Sequence, residues 1–163
     1  MPTITDRLSR FRRLVLRVSA RLRWIAPTLA RLTLGWIFLQ SGWGKLHNLP
    51  KVIGFFSQLG IPAPQIQAPL AASLEFLCGA LMLLGLATRF ASLPLIGIMI
   101  VAILTAKRDD IHEVSDLFGM SEYLYIVLAL WLGGYGAGPL SVDYLVARRL
   151  DAGERPLPAG VRV

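Results

Sequence analysis

Long stretches without lysine or arginine are the feature that most restricts how this 163-residue chain can fold. Such stretches lie between Arg31 and Lys45, between Arg89 and Lys107, and from residue 123 to residue 147. A helix needs about 20 mostly apolar residues to cross the hydrocarbon core of a bilayer. Hydrophobic residues make up 55% of the chain and charged residues 17%, whereas a soluble domain carries about 25% charged residues. The sequence therefore predicts an integral membrane protein.

Hydropathy and helix-breaking residues divide the chain into four predicted membrane spans. These spans cover residues 27–46, 69–87, 90–106 and 121–135. Thr88 and Arg89 form the predicted turn between the second and third spans. Two shorter helices are also predicted, one from Pro50 to Gly60 in the first connection and one over residues 142–150 at the surface. The predicted fold class is all-α, an integral membrane bundle of four transmembrane helices.

A basic segment precedes the first span. Over residues 5–25, apolar residues recur three and four positions apart, and arginines occupy the other side of the helix. This pattern predicts an N-terminal basic amphipathic helix on an anionic membrane surface, and a partly disordered basic tail is the alternative. The predicted organisation is thus a cytoplasmic amphipathic segment (1–26), a four-helix membrane domain (27–150) and a cytoplasmic tail (151–163).

The distribution of positive charge predicts the orientation in the membrane. Arginines are concentrated near both chain ends and at Arg89, which four spans would place on one side. On the other side, Lys45, Lys51, Lys107 and Arg108 are offset by acidic residues of the loop that follows the third span. Positively charged residues favour the cytoplasmic side, so both termini are predicted to be cytoplasmic in a bacterial inner membrane. The net charge of +7 is explained in this way, and no nucleic-acid partner is expected.

Glu75 is the acidic residue that the sequence places well inside a span. A charged side chain near the bilayer midplane costs about 2.5 kcal/mol or more on insertion scales, so Glu75 needs a partner. Arg31, Gln40 and Ser41 of the first span are predicted to face it. One interpretation makes Glu75 a proton-handling acid with Arg31 as its partner. The other makes Glu75 a polar contact that only holds helices together.

A second candidate site lies at the outer rim of the predicted bundle. Trp43, Lys45 and Tyr123 are predicted to form the mouth of a quinone site, together with His47 and Glu122, because a quinone head group needs hydrogen-bond partners at its carbonyl oxygens. An ordinary interfacial belt of aromatic residues is the alternative. The histidines of the chain lie in predicted loops without ligand-like spacing, so neither metal nor haem is predicted.

Several short motifs occur in an order that is typical of one family. They are Arg31…Gly35…Phe38…Ser41-Gly42…Lys45-Leu46, Phe55-Phe56-x-x-Leu59-Gly60-Ile61-Pro62, Glu75…Gly79, Leu84-Gly85-Leu86-x-Thr88-Arg89, Glu122-Tyr123 and Gly136-x-Gly138-x-x-Ser141-x-Asp143. With these motifs the chain resembles the DoxX family of bacterial inner-membrane proteins over roughly residues 31–143.

The resemblance implies a four-helix membrane bundle and an association with quinone-linked redox chemistry. Relatives are named for a subunit of a terminal quinol oxidase, and similar proteins occur in thiosulfate:quinone oxidoreductases and in membrane complexes that handle thiol stress. The chain has one cysteine, Cys78, so it cannot itself run a dithiol–disulfide cycle. The resulting hypothesis is a membrane subunit of a quinone-linked redox complex that docks a soluble or membrane-bound partner enzyme and a quinone.

Two alternatives remain at this point. A non-catalytic membrane scaffold would use the same polar core for structure alone. A small transporter is disfavoured, because the chain shows no inverted repeat of the kind that such carriers use. The sequence leaves open whether the protein has an activity of its own and whether it forms a homo-oligomer.

Overall fold

A computed structural model describes residues 24–153 and five earlier positions, which are 8, 12, 16, 17 and 22. The described positions of the predicted amphipathic segment 5–25 are largely exposed and, apart from Trp24 in a turn, helical, and the rest of that segment lies outside the described residues. The end of the predicted tail, residues 154–163, also lies outside them. Between residues 24 and 153 every regular element is a helix, which confirms the all-α prediction.

The helices form an up-and-down bundle with additional short helices at its ends. They are α1 (Ile25–His47), α2 (Leu49–Gln58), α3 (Pro64–Leu84), α4 (Thr88–Thr105), α5 (Val114–Gly119), α6 (Ser121–Tyr135) and α7 (Val142–Gly153), with a 3-10 turn at Arg108–Asp110. Helix α1 packs on α3, α3 on α4, α4 on α6, and α6 back on α1. We call the two ends of the bundle the Gly85 end, where the α3–α4 turn lies, and the Lys45 end, where α1 leads into α2.

Two of the four bundle helices, α3 and α4, are long and apolar enough to cross a membrane. Helix α6 has 15 residues, so at about 1.5 Å per residue it is about 22 Å long, shorter than the ~30 Å hydrocarbon core. Helix α1 has 23 residues but carries Arg31 and Lys45. Length and hydropathy thus make α3 and α4 candidate membrane spans, whereas the four-span arrangement stays a prediction.

Most helix bounds agree with the sequence pattern, and the differences have local causes. Helix α3 begins at Pro64, not at Pro69, because Ala63 adopts a left-handed conformation (φ 48°) that lets Pro64 open the first turn. The α3–α4 turn lies before the predicted one, since left-handed Gly85 (φ 66°) ends α3 and Thr88 already belongs to α4. Helix α5 and the 3-10 turn lie in a segment that was predicted to be a polar loop.

Glycines allow α1 and α3 to approach each other closely. A Cβ atom at Gly42 would overlap the backbone of Phe76, and one at Gly79 would overlap the backbone of Leu39. Small residues at a helix contact permit such an approach in membrane bundles. The close contact brings polar side chains of α1 within reach of the middle of α3, while the apolar core continues through α4 and α6.

Asp116 organises the short helix α5 at the Lys45 end. Its carboxylate accepts hydrogen bonds from the backbone N–H groups of Glu113 and His112, at 2.9 Å and 3.0 Å. These bonds stabilise the charged form and therefore lower the pKa of Asp116 from its ordinary value. Asp116 thereby stabilises the start of α5, in the connection between α4 and α6.

Candidate functional site

Glu75 forms the centre of a polar contact between α1 and α3. Its side chain is completely buried near the middle of α3. Ser41 Oγ donates a hydrogen bond to Glu75 Oε2 at 2.8 Å, and Lys45 Nζ forms an ion pair with Glu75 Oε1 at 2.5 Å. Ser41 and Lys45 lie one helical turn apart on α1, so they approach the carboxylate from the same face. The predicted contact between Glu75 and Ser41 is confirmed.

The predicted pairing of Glu75 with Arg31 is wrong in this geometry. Arg31 precedes Ser41 by ten residues, or about 15 Å along the helix axis, and it lies at the Gly85 end. Its Nη2 atom donates a hydrogen bond to the carbonyl oxygen of Leu140, at 2.7 Å. Gln40, the other predicted neighbour, is exposed on a different face of α1. The four-carbon stem of Lys45 allows its ammonium group to reach Glu75 from the end of α1.

A cavity of about 510 Å³ borders the Glu75–Lys45 pair. Its wall is mostly apolar and is formed by α2, α3, α4 and the end of α1. The lining side chains that can donate or accept hydrogen bonds are Lys45, Lys51, Gln67, Glu75 and Thr105, and apolar lining residues include Phe55, Phe56, Leu70, Leu74, Ile98 and Met99. An apolar cavity with a few polar groups at one side is typical of a site for a small amphipathic molecule.

Only one of the three residues predicted to form a quinone mouth lines this cavity. Lys45 does, whereas Trp43 and Tyr123 lie outside its lining. Trp43 contacts His47 and Phe76, with ring centroids 4.1 Å and 5.7 Å apart. Two residues along a helix correspond to about 200° of rotation, so Trp43 and Lys45 point to opposite sides of α1. Tyr123 instead packs against Phe118 at the start of α6.

Helices α2 and α4 also contribute residues to this site, which was not predicted from the sequence. Phe55 and Phe56 of α2, which the sequence pattern placed only in a family motif, both line the cavity. Gly97 on α4 also lines it, and a Cβ atom at that position would meet no neighbouring atom within 4 Å. Two sequence features could have indicated a cavity. They are the strong apolar face of α2 and the small residue Gly97 among the bulky side chains of α4.

A second polar cluster lies at the Gly85 end. Asp143 accepts hydrogen bonds from the N–H groups of Ala87 and Thr88 at 2.7 Å and 3.2 Å, and thereby caps α4. Arg31 packs against Gly85 so closely that no Cβ atom could be accommodated there. Within the described residues, the buried Nε and Nη1 atoms of Arg31 have no hydrogen-bond partner. Through Arg31 and Asp143, the cluster connects the segment before α7 to α1 and α4.

Comparison with protein families gives two matches. The family described as DoxX matches residues 26–108, which include α1, the cavity helices α2 and α3, and α4. The family described as TQO small subunit DoxD matches residues 68–156, from the first turns of α3 to the end of α7. Together the two matches cover both the Glu75 site and the polar cluster at the Gly85 end.

Three curated relatives are similar along most of their length. The first is "Uncharacterized membrane protein Rv3486" of Mycobacterium tuberculosis, 33% identical over 133 residues (75% of this chain and 82% of the relative). "Putative oxidoreductase CatD" of Bacillus subtilis is 31% identical over 124 residues, covering 75% of this chain and 87% of the relative. "Inner membrane protein YqjF" of Escherichia coli is 25% identical over 129 residues (79% and 98%). No solved structure matches the chain significantly.

Proposed function

Because the chain belongs to the DoxX family of membrane proteins, we propose that it is a membrane subunit of a redox complex and binds a quinone in the cavity beside Glu75. The observation that carries the proposal is the ion pair between buried Glu75 and partly exposed Lys45 in the wall of an apolar cavity of about 510 Å³. The relative named "Putative oxidoreductase CatD" and the match to the family described as TQO small subunit DoxD support the redox association.

The chemistry of the cavity suits a quinone head group. Reduction of a quinone to a quinol takes up two electrons and two protons, and the electrons would come from the redox centre of a partner enzyme. Lys45 can donate a hydrogen bond to a carbonyl oxygen, and Glu75 can pass a proton to the same region. The aromatic rings of Phe55 and Phe56 provide an apolar surface for the flat ring and its tail.

The proposed arrangement places four helices across a bacterial inner membrane, with both termini cytoplasmic. Helices α3 and α4 meet the length and hydropathy of a span, and α1 and α6 pack alongside them in alternating directions. Trp131 and Tyr135, which stack on each other at the end of α6, are residues that favour the membrane–water interface. Aromatic anchoring of this kind would let a helix as short as α6 cross a locally thinned bilayer.

A partner enzyme is part of the proposal because the chain has one cysteine, so it cannot run a dithiol–disulfide cycle of its own. Cys78 is free and buried in the core cluster, where it packs as a small apolar residue. The protein would thus position the quinone and supply protons, while a soluble or membrane-bound enzyme supplies electrons. CatD and the DoxD small subunit carry redox names, and we extend that association to this chain.

The decisive experiment fills the cavity without touching the ion pair. Gly97→Leu would project a side chain into the cavity, and Gly134→Leu is a matched control on α6, because a Cβ atom at either position has no neighbour within 4 Å. We expect saturable binding of a short-chain quinone to the purified wild type and to Gly134→Leu, and at least tenfold weaker binding to Gly97→Leu. Equal binding by all three proteins would contradict a quinone site in this cavity.

A scaffold without a ligand is the competing function, favoured by the role of Glu75 in joining α1 to α3. It predicts that no quinone copurifies with the protein and that added quinone shows no saturable binding. It also predicts that partner enzymes captured from membranes are retained by Gly97→Leu and by Glu75→Gln alike. Loss of partner-dependent quinone reduction in Gly97→Leu, with the partner still bound, would exclude the scaffold.

A further inference from the structure

A second cavity, of about 800 Å³, opens at the Gly85 end, far from the Glu75 site. It lies where the start of α4 meets the end of α6 and the segment that leads into α7. Arg89, Phe90, Tyr135, Gly136 and Tyr144 are among its lining residues. Two of the motifs noted in the sequence, those around Arg89 and Gly136, therefore come together in one place that the proposed quinone chemistry does not use.

Arg89 brings positive charge to this cavity. In the described part of the chain the ion pairs are Lys45–Glu75 and Lys107–Asp110, and Arg89 belongs to neither. Asp143 also lines the cavity, but its two carboxylate oxygens accept hydrogen bonds from backbone N–H groups at the start of α4. Arg89 is exposed and lines a space that an anion can enter, and among the described residues it forms no ion pair with a carboxylate.

The backbone around Gly136 shapes the cavity for close approach to Arg89. Gly136 has φ 91°, a backbone conformation that residues with a Cβ atom rarely adopt. The position of a Cβ atom on Gly136 would lie 3.5 Å from Arg89 Nε. A larger residue at this position would contact the guanidinium group of Arg89, whereas glycine leaves that side of the group open.

The surroundings of Arg89 are amphipathic. Phe90 is 77% exposed and Leu93, one turn further along α4, is 65% exposed, so an apolar strip leads away from the cavity. Tyr135 and Tyr144 add phenol groups that can donate hydrogen bonds at the level of the helix ends. Tyrosine and arginine at the boundary of a span suit the head group of a phospholipid, and the adjacent apolar helix face suits its acyl chains.

We infer that this cavity binds the phosphate group of an anionic phospholipid, with Arg89 as the main ligand and the acyl chains along the Phe90 face of α4. Arginine binds phosphate through paired hydrogen bonds, and basic pockets between membrane helices recognise anionic head groups. The inference rests on the membrane placement proposed above and is independent of the quinone site. A free phosphate ion would use the same polar chemistry but would gain nothing from the apolar strip.

Binding of phosphatidylglycerol to the detergent-purified protein tests this inference, with mass spectrometry under native conditions as the readout. We expect one retained lipid in the wild type and in Arg108→Gln, a control at the opposite end, and at least fivefold lower retention in Arg89→Gln. Diacylglycerol, which lacks the phosphate, should not be retained by any of the three proteins. Unchanged phosphatidylglycerol retention in Arg89→Gln would overturn the inference.

Two further measurements identify the source of the phosphate and separate this site from the quinone cavity. Inorganic phosphate at millimolar concentration should not displace the lipid, and displacement would assign the site to a free anion instead. Quinone binding by Arg89→Gln should equal that of the wild type, because Arg89 does not line the cavity beside Glu75. A normal melting temperature for Arg89→Gln would show that lost lipid reflects a lost ligand, whereas parallel loss of lipid, quinone binding and folding would count against a local site.

Discussion

Lys45 on α1 forms an ion pair with Glu75 on α3, although the two residues are 30 positions apart in the chain. The carboxylate is completely buried, whereas the lysine side chain keeps 34% of its surface exposed beside the cavity. The pair therefore connects the interior of the bundle with a space that a ligand can occupy. Glu75 can exchange a proton and Lys45 can donate a hydrogen bond at the wall of this cavity.

Replacement of Glu75 by glutamine separates proton handling from structure. Gln keeps the size of the side chain and a hydrogen-bonding end for Ser41, but it cannot exchange a proton. We expect Glu75→Gln to insert and fold at near-normal levels and to lose most partner-dependent quinone reduction in membranes. Expression level, melting in detergent and the reduction rate would be measured together. Full activity in Glu75→Gln would rule out the proton-handling role.

Glu75→Leu is the companion variant. It also removes the proton, and in addition it removes the polar contact between α1 and α3. We expect it to lose activity and to melt at a lower temperature than Glu75→Gln. If activity followed protein abundance in both variants, Glu75 would have a structural role alone.

Replacement of Lys45 should lower the free energy of unfolding more when Glu75 is present than when Glu75 is replaced by glutamine. In Lys45→Met the buried carboxylate loses its charged partner and keeps Ser41, so we expect a destabilisation of about 1–3 kcal/mol. The double variant with Glu75→Gln should recover most of this loss, because no unpaired charge remains. Melting of the four proteins in a double-mutant cycle measures the coupling, and Lys51→Met serves as an exposed control. Additive effects would show that the pair contributes no coupling.

The glycine contact between α1 and α3 gives a third prediction. In Gly42→Ala the new methyl group would overlap the backbone of Phe76, so the two helices must separate at the level of Ser41 and Lys45. We expect a loss of stability of about 1–3 kcal/mol and weaker quinone binding. Gly44→Ala is the matched control, because a Cβ atom at Gly44 has no neighbour within 4 Å. Equal melting of both variants would contradict the close packing.

The sequence pattern predicted helix positions well wherever apolar periodicity and helix-ending residues coincide. Helix α6 spans Ser121–Tyr135, the same bounds as predicted, because Gly136 with φ 91° ends it abruptly. The start of α3 was misplaced, since a proline can open a helix at Pro64 or lie inside it at Pro69, and only the conformation of Ala63 decides between them. Local pattern therefore predicted which segments are helical better than where each one begins.

The candidate site was harder to predict because it depends on how helices are set against one another. The burial of Glu75 and its contact with Ser41 followed from the cost of an isolated charge in a span. Whether Arg31 or Lys45 pairs with Glu75 depends on how far α1 is shifted along its axis relative to α3, and the glycine contact determines that shift. The cavity itself lies between α2, which packs on α3, and α4. The apolar face of α2 follows from the sequence, but its position relative to α4 does not.

A fourth prediction concerns pH and the loop before α6. Backbone hydrogen bonds from Glu113 and His112 lower the pKa of Asp116, so its contribution to stability is present above the ordinary pKa of 3.8 and is lost as pH falls through the lower folded-state value. Asp116→Asn should therefore melt below the wild type near pH 7, and the difference should shrink once the pH falls below 3.8. Asp109→Asn, in the same exposed loop, is the control. A difference that does not change with pH would contradict this assignment.

The last prediction concerns the orientation of the bundle in the membrane. Arg89 lies at the Gly85 end together with the start of α1, the end of α6 and the start of α7, whereas Gly60 and Asp116 lie at the Lys45 end. Since positively charged residues favour the cytoplasm, reporter fusions at Arg89 and after the last residue should report a cytoplasmic location. Fusions at Gly60 and Asp116 should report export. An exported C-terminal reporter would exclude four spans with both termini inside, and a cytoplasmic reporter at Asp116 would show that α4 does not cross the membrane.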